Sequence, residues 1–131
     1  MRRERRGTLA GIASVAGFRG LPGAGAYSAS KAAAIRYLES LRVESRGTGV
    51  RVMTVCPGYI ATPMTRGNPY PMPFLISADE FARRFEKAQR AGRGFVVIPW
   101  PMAIAGTVLR LLPNAIYDAL FARAGRKPRV E

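Results

Sequence analysis

Apolar positions along this chain fall into two kinds of run. Thr8-Leu-Ala-Gly-Ile-Ala-Ser14, Val50-Arg-Val-Met-Thr-Val-Cys56 and Phe95-Val-Val-Ile98 are short, mostly apolar, and bounded by glycine or proline. Runs of that length predict buried strands. The longer runs follow a helical period. One helix is predicted from about Ser28 to Arg46, rich in alanine and leucine and stopped by Gly47 and Gly49. A second starts at Ser77-Ala-Asp-Glu80, which reads as a capping box: the serine hydroxyl takes an early helix amide and the glutamate reaches back. It runs to about Ala91, with Phe81 and Phe85 four apart on one face. From Met102 to about Ala124 the pattern is helical again, interrupted near Pro113.

The connections differ in kind. Gly17 to Gly25, with Pro22, is too punctuated for regular structure. The stretch from Pro57 to Ser77 holds Pro57, Pro63, Pro69, Pro71 and Pro73, which predicts a long functional loop. Strands alternating with helices predict an α/β layered fold on a parallel sheet. About three strands are few for such a sheet, which needs both faces covered and its edges managed. That points to a missing piece.

Charge modifies this picture. Twenty-one basic against eight acidic residues give a formal net charge of +13, enough to attract nucleic acid, anionic lipid or a phosphorylated ligand. The arginines are spread out: Arg2, Arg3, Arg5 and Arg6 at the start, Arg36, Arg42, Arg46, Arg83, Arg84, Arg90 and Arg93 along the middle, and Arg123, Arg126, Lys127 and Arg129 at the end. No stretch interleaves them with aromatic residues as a base-stacking platform does, so a solvated surface is the better reading than a nucleic-acid interface. The chain has no histidine, which removes His-dependent triads and argues against a metal site. A lone cysteine, Cys56, excludes an internal disulfide, fits a reducing, cytoplasmic setting, and lies in an apolar run where a buried inert thiol is expected. Met1 to Arg6 carries charge without a following apolar region, so it does not read as a signal peptide. Phe95 to Leu112 is mostly apolar, yet Pro99, Pro101 and Arg110 interrupt it, and a spanning helix needs about 20 apolar residues. An amphipathic helix from Met102 to Arg123 with basic flanks leaves a second role open: a non-catalytic module that binds a membrane surface or a partner. The plainer alternative is a terminal helix packed on the sheet or on a partner subunit.

Three groups of residues can carry chemistry. Tyr27-Ser-Ala-Ser-Lys31 sets a phenol and an ammonium four apart, on one face if a helix begins there. A phenol is a poor base at neutral pH, and a neighbouring cation eases its ionisation, so the pair suits proton transfer to or from an alcohol or carbonyl oxygen. A surface lysine beside a helical tyrosine makes the same pattern. Ser14 ends the first strand, at the carboxyl edge where parallel sheets collect ligands, and can donate to a carbonyl oxygen or simply to local backbone. Pro57-Gly58, then Ile60 and Thr62, follow the second strand at the same edge. A glycine there admits a ligand to the backbone and a threonine can donate to an amide or phosphate; a plain strand-to-loop turn is the alternative.

Taken together, Ile12-Ala-Ser14-Val-Ala-Gly17, Tyr27-Ser-Ala-Ser-Lys31 and Val55-Cys-Pro-Gly58-Tyr-Ile-Ala-Thr62 resemble, in order and spacing, the strand-five, active-site-helix and strand-six motifs of the short-chain dehydrogenases/reductases. The likeness is close over roughly the first 65 residues, and Met72-Pro-Phe-Leu75 and Val97-Ile-Pro-Trp-Pro-Met102 look like a bacterial subgroup of that family. The resemblance implies a partial Rossmann-like, doubly wound sheet and an oxidoreductase that uses NAD or NADP on an alcohol or carbonyl substrate, as a homo-oligomer when full length. It implies Tyr27 as general acid/base, and Lys31 lowering its pKa and bonding the nicotinamide ribose. Ser14 would polarise the carbonyl, and Pro57, Gly58, Ile60 and Thr62 would flank the nicotinamide. On this view residues 7–62 hold the active-site motifs, 63–77 form a substrate loop, and 78–124 a C-terminal helix–strand–helix. Ala13 departs from the family's Ser-Ser doublet. The family's glycine-rich first βα turn, its Asn-Ala-Gly element and its catalytic Asn have no counterpart here. The expectation is therefore a C-terminal half that is poorly soluble and inactive alone.

Overall fold

The computed structural model describes residues 1–68 and 70–122. Its elements run β1 (Gly7–Ile12), a 3₁₀ turn (Val15–Gly17), α1 (Gly25–Glu44), β2 (Val50–Pro57), β3 (Ile60–Ala61) and β4 (Ile76–Ser77). They continue with α2 (Ala78–Arg90), β5 (Phe95–Ile98), α3 (Pro101–Leu111) and α4 (Asn114–Phe121). The basic cluster Arg123, Arg126, Lys127 and Arg129, and the predicted helix end at Ala124, lie outside the described residues.

β2 organises the sheet. Its near-continuous apolar sequence suits a strand covered on both faces, and it pairs in parallel with β1 on one side and β5 on the other. Alternation along the strand divides its side chains between two layers. Met53 and Val55 face α2, packing with Ala88, Ile98, Phe81 and Phe85. Cys56 faces the other way, with Ala13, Ile35, Phe18 and Val97 on the α1 side. Burial of each large side chain contributes about 1.5–3 kcal/mol. The result is the α/β architecture anticipated, a three-stranded parallel sheet between helices.

Local chemistry moves some boundaries. α1 starts at Gly25, three residues before the expected Ser28, which is buried inside the first turn with its Oγ accepting the Leu21 amide at 3.2 Å. Ser77 does cap α2, accepting the Glu80 amide at 3.1 Å. The reciprocal half of that capping box is replaced, since the Glu80 carboxylate pairs with Arg84 and Arg83, which hold it below the usual carboxylate range. The C-terminal helix breaks at Leu112–Pro113 into α3 and α4, where proline cannot continue the backbone bonding.

Two expectations need correction. β1 is not a buried strand: among the described residues it is an edge with one neighbour, and Leu9 and Ile12 are 39% and 50% exposed. The proline-rich loop is not wholly irregular either. β3 and β4 close it as a two-residue parallel pair, Ile60 opposite Ile76 and Ala61 opposite Ser77.

Candidate active site

Lys31 reaches the carboxyl end of β1 from α1, Tyr27 lies beside it on the same helix, and Ser14 follows that strand in the chain. Beyond Ile12 the backbone stays bonded to β2, the Ala13 amide donating to the Val55 carbonyl at 2.7 Å. Ser14 is extended, with φ −170° and ψ 155°, and its Oγ accepts the Ala16 amide at 3.1 Å, capping the 3₁₀ turn. That bond uses the oxygen as acceptor and leaves the hydroxyl proton to be donated. The turn then lies directly on α1. A Cβ at Gly17 would sit 2.7 Å from the Lys31 carbonyl carbon and 2.9 Å from the Ala32 nitrogen, so the approach requires glycine.

Tyr27 and Lys31 stand one turn apart on the same face of α1. The Lys31 ammonium donates to the Ile12 carbonyl at 3.3 Å and lies 5.7 Å from the Tyr27 ring centroid, within cation–π range. It is thus fixed from two sides, by the last carbonyl of β1 and by the phenol it would serve. Tyr27 is half exposed and Ser14 is buried. Behind them Cys56 is wholly buried. Burial pushes its thiol up to about 11, against the opposing pull of the Ser14 amide and the Lys31 charge.

The residues after β2 form a second group. Pro57 pairs with Ile98, and the Gly58 amide donates to the Ile98 carbonyl at 2.8 Å. A Cβ on Gly58 would meet Met102 Cγ at 2.8 Å, so this glycine admits the packing of α3. Ile60 sits in β3. Thr62 opens a turn in which its amide donates to Thr65 Oγ1 at 2.9 Å, and Thr65 Oγ1 in turn donates to the Ile60 carbonyl at 2.7 Å. Thr65 was not singled out from sequence; its signal was the Thr62-x-x-Thr65 spacing ahead of Gly67, a side-chain-bonded turn. Thr62, Thr65, Arg66 and Asn68 line an open cleft of about 370 Å³ together with Met72 and Leu75. Ser14, Tyr27 and Lys31 do not line it, so the sequence-predicted set divides into an edge group and a loop group joined through Pro57 and Gly58.

The family model for short chain dehydrogenases matches residues 1–70, the span that contains both groups. The chain belongs to the short-chain dehydrogenase family. An uncharacterized oxidoreductase of Myxococcus xanthus (strain DK1622) is 43% identical over 120 residues, covering 92% of this chain and 47% of the relative. A cyclopentanol dehydrogenase of Comamonas sp. (strain NCIMB 9872) is 33% identical over 114 residues, covering 87% of this chain and 41% of the relative. Among solved structures, a short chain dehydrogenase from Burkholderia cenocepacia J2315 in complex with NADP matches with a TM-score of 0.75 at 30% identity, over 90% of this chain and 48% of that one. The chain spans about half the length of the curated relatives it matches.

One support of this short-chain dehydrogenase edge was not legible in the motifs. Arg19, in the loop between Ser14 and Tyr27, donates from Nη1 to the Leu109 and Leu112 carbonyls at 2.6 and 2.5 Å and from Nη2 to Asn114 Oδ1 at 2.8 Å. Its guanidinium lies 3.9 Å from the centroid of the Tyr117 ring, and the Tyr117 hydroxyl donates back to the Gly20 carbonyl at 2.5 Å. The break between α3 and α4 is thereby tied to the loop that sets Tyr27 relative to Ser14.

Proposed function

We propose that this chain supplies the proton-transfer side of an NAD(P)-dependent oxidoreductase acting on an alcohol or carbonyl substrate. The observation that carries the reading is the Lys31 ammonium, held between the Ile12 carbonyl and the Tyr27 ring at the sheet edge that Ser14 leaves. The B. cenocepacia structure holding NADP supports the cofactor class. A phenol and an ammonium one helical turn apart, beside the strand end that Ser14 follows, suit the ribose and carbonyl groups at the nicotinamide end of such a dinucleotide. The bound nicotinamide supplies or accepts the hydride.

In the reducing direction the Ser14 hydroxyl donates to the substrate carbonyl oxygen, whose negative charge grows as hydride arrives. Tyr27 then gives its proton to that oxygen, and the positive charge of Lys31 offsets the charge left on the phenolic oxygen. Alcohol oxidation runs the same steps backwards. Pro57, Gly58, Ile60 and Thr62 would hold the nicotinamide end, and the turn held by Thr65 would border the substrate.

The rest of the dinucleotide needs a glycine-rich first βα turn at a helix N-terminus, for which the sequence has no match. The purified chain alone is expected to bind no NADH or NADPH at micromolar concentration by titration. Joined behind the N-terminal half of the M. xanthus relative, it is expected to oxidise NAD(P)H with a ketone substrate. In that fusion Tyr27→Phe should lower kcat by about 10²–10⁴. Retention of full activity by the Tyr27→Phe fusion would overturn the assignment.

A further inference from the structure

The C-terminal helices carry apolar side chains that remain exposed among the described residues. Trp100, Ile104, Val108 and Leu111 are spaced four, four and three residues apart and form one stripe along α3, exposed by 66%, 58%, 53% and 76%. On α4, Ile116 and Leu120 are four apart and both are exposed. This is not α3's packing face. Met102 and Gly106 take that role, against Gly58 and Phe18. A soluble helix normally turns its apolar stripe inward, and a contiguous exposed stripe marks a contact surface.

Charge identifies what the surface meets. Next to the stripe, Leu111 also lines a cleft of about 570 Å³ between α1 and α3, where Arg36, Arg42 and Arg110 stand against a single acid, Glu39. Glu39 is already paired with Arg36 at 2.7 Å, and Arg36, Arg42 and Arg110 together hold its carboxyl below the usual range. Arg42 and Arg110 are left as surplus positive charge. Sequence positions 100–131 carry Arg110, Arg123, Arg126, Lys127 and Arg129 against Asp118 and Glu131, five basic to two acidic, in a chain of net charge +13. A second copy docked on this stripe would bring like charges together. An anionic bilayer satisfies both features, taking the apolar side chains at the acyl boundary and the arginines among phosphates. Trp100, at the head of the stripe, is the side chain that favours such an interface. No helix among the described residues is long and apolar enough to cross a membrane, so the contact lies along the surface. We infer that the Trp100–Leu120 face of α3 and α4 docks this chain on anionic phospholipid membranes. Trp100 lies two residues beyond the end of β5, so the docked face begins near the carboxyl edge of the sheet, where Gly58 and Met102 meet.

Trp100 is the chain's single tryptophan, which makes the test direct. The purified 131-residue chain is mixed with vesicles of phosphatidylcholine alone or with one quarter phosphatidylglycerol, and tryptophan emission and flotation are measured. Expected are a blue shift and co-flotation with the anionic vesicles only, weakening as salt rises from about 0.1 to about 1 M and the screening length falls from about 10 to about 3 Å. Val108→Asp/Leu111→Asp, both at exposed positions, should lower the bound fraction at least about tenfold. Tyr37→Asp/Met64→Asp places the same charge at exposed sites off the stripe and should leave more than half of the binding. Unchanged emission of the wild-type chain with anionic vesicles overturns the proposal, as does equal binding to neutral ones. It is equally overturned if sedimentation without lipid shows a dimer that Val108→Asp/Leu111→Asp converts to monomer, which would make the stripe a contact between copies.

Discussion

The segment from Ala13 to Gly20 and the strand that leads into it share one piece of backbone and are held in opposite ways. The segment is fixed at every turn by contacts the chain makes itself. Gly17 rests on the α1 backbone, Phe18 packs where Gly106 has no side chain and beside the Phe95 ring at 6.3 Å, and Arg19 enters the break between α3 and α4. Among the described residues β1 pairs only with β2, and its Leu9 and Ile12 point by alternation to opposite faces, both substantially exposed. The loop between Ser14 and α1 is thus held by contacts within this chain, while β1 has an uncovered flank among the described residues. Changes of a single group should be severe in the first region and mild in the second.

The sharpest way to break that comparison is Gly17→Val. Any Cβ there collides with backbone atoms of Lys31 and Ala32, which cannot move aside as a flexible side chain does. The expected loss is at least about 3 kcal/mol, the upper range for forced overpacking, read from urea unfolding by circular dichroism. A loss below about 1 kcal/mol would show that the 3₁₀ turn is free to lift off α1. Next in size is Arg19→Ala, which removes three hydrogen bonds and the stacking on Tyr117. About 2–3 kcal/mol is expected, since bonds from a charged donor to carbonyls exceed neutral ones. Arg19→Lys should recover less than half of that, because an ammonium cannot match the planar fork that spans two carbonyls and an amide. Full recovery by lysine would reduce the contact to simple charge.

How far these features were legible follows from the range of the interactions. Strands, helices and the Pro113 break are written in local periodicity and in proline, and the sheet they form is the α/β layer expected. Tyr27 and Lys31 are neighbours by helix geometry, so their contact was readable from a spacing of four. The start of α1 was set three residues late because the helix opens after Ala24 with no side-chain cap to mark it, and the Ser28 hydroxyl is used by Leu21 across the loop. Glu80 likewise had the right position for a reciprocal cap and found stronger partners in Arg83 and Arg84. Arg19 and Tyr117 are nearly a hundred positions apart and carry no motif; only the fold brings the loop against the helix break. The exposure of β1 was hidden for a related reason. An apolar run reports that a strand can be buried, and the neighbours that would bury it are not encoded in the run itself.

The smallest expected effect tests the other half of the comparison. Leu9→Thr and Ile12→Thr keep a side chain suited to a pleated strand while removing apolar surface that faces water in this chain. Each should change the unfolding free energy of the isolated 131-residue chain by less than about 0.5 kcal/mol, as surface substitutions do. Because the exposed apolar area falls, aggregation followed by light scattering should decrease. Set behind the N-terminal half of the M. xanthus relative, the same two substitutions should instead cost about 1–3 kcal/mol each, since the transfer of a leucine or isoleucine out of a covered site is lost. The contrast between the two settings is the informative quantity. Equal effects in both would mean that β1 keeps an open flank even when more of the family's length is present, and that its edge is finished by this chain alone.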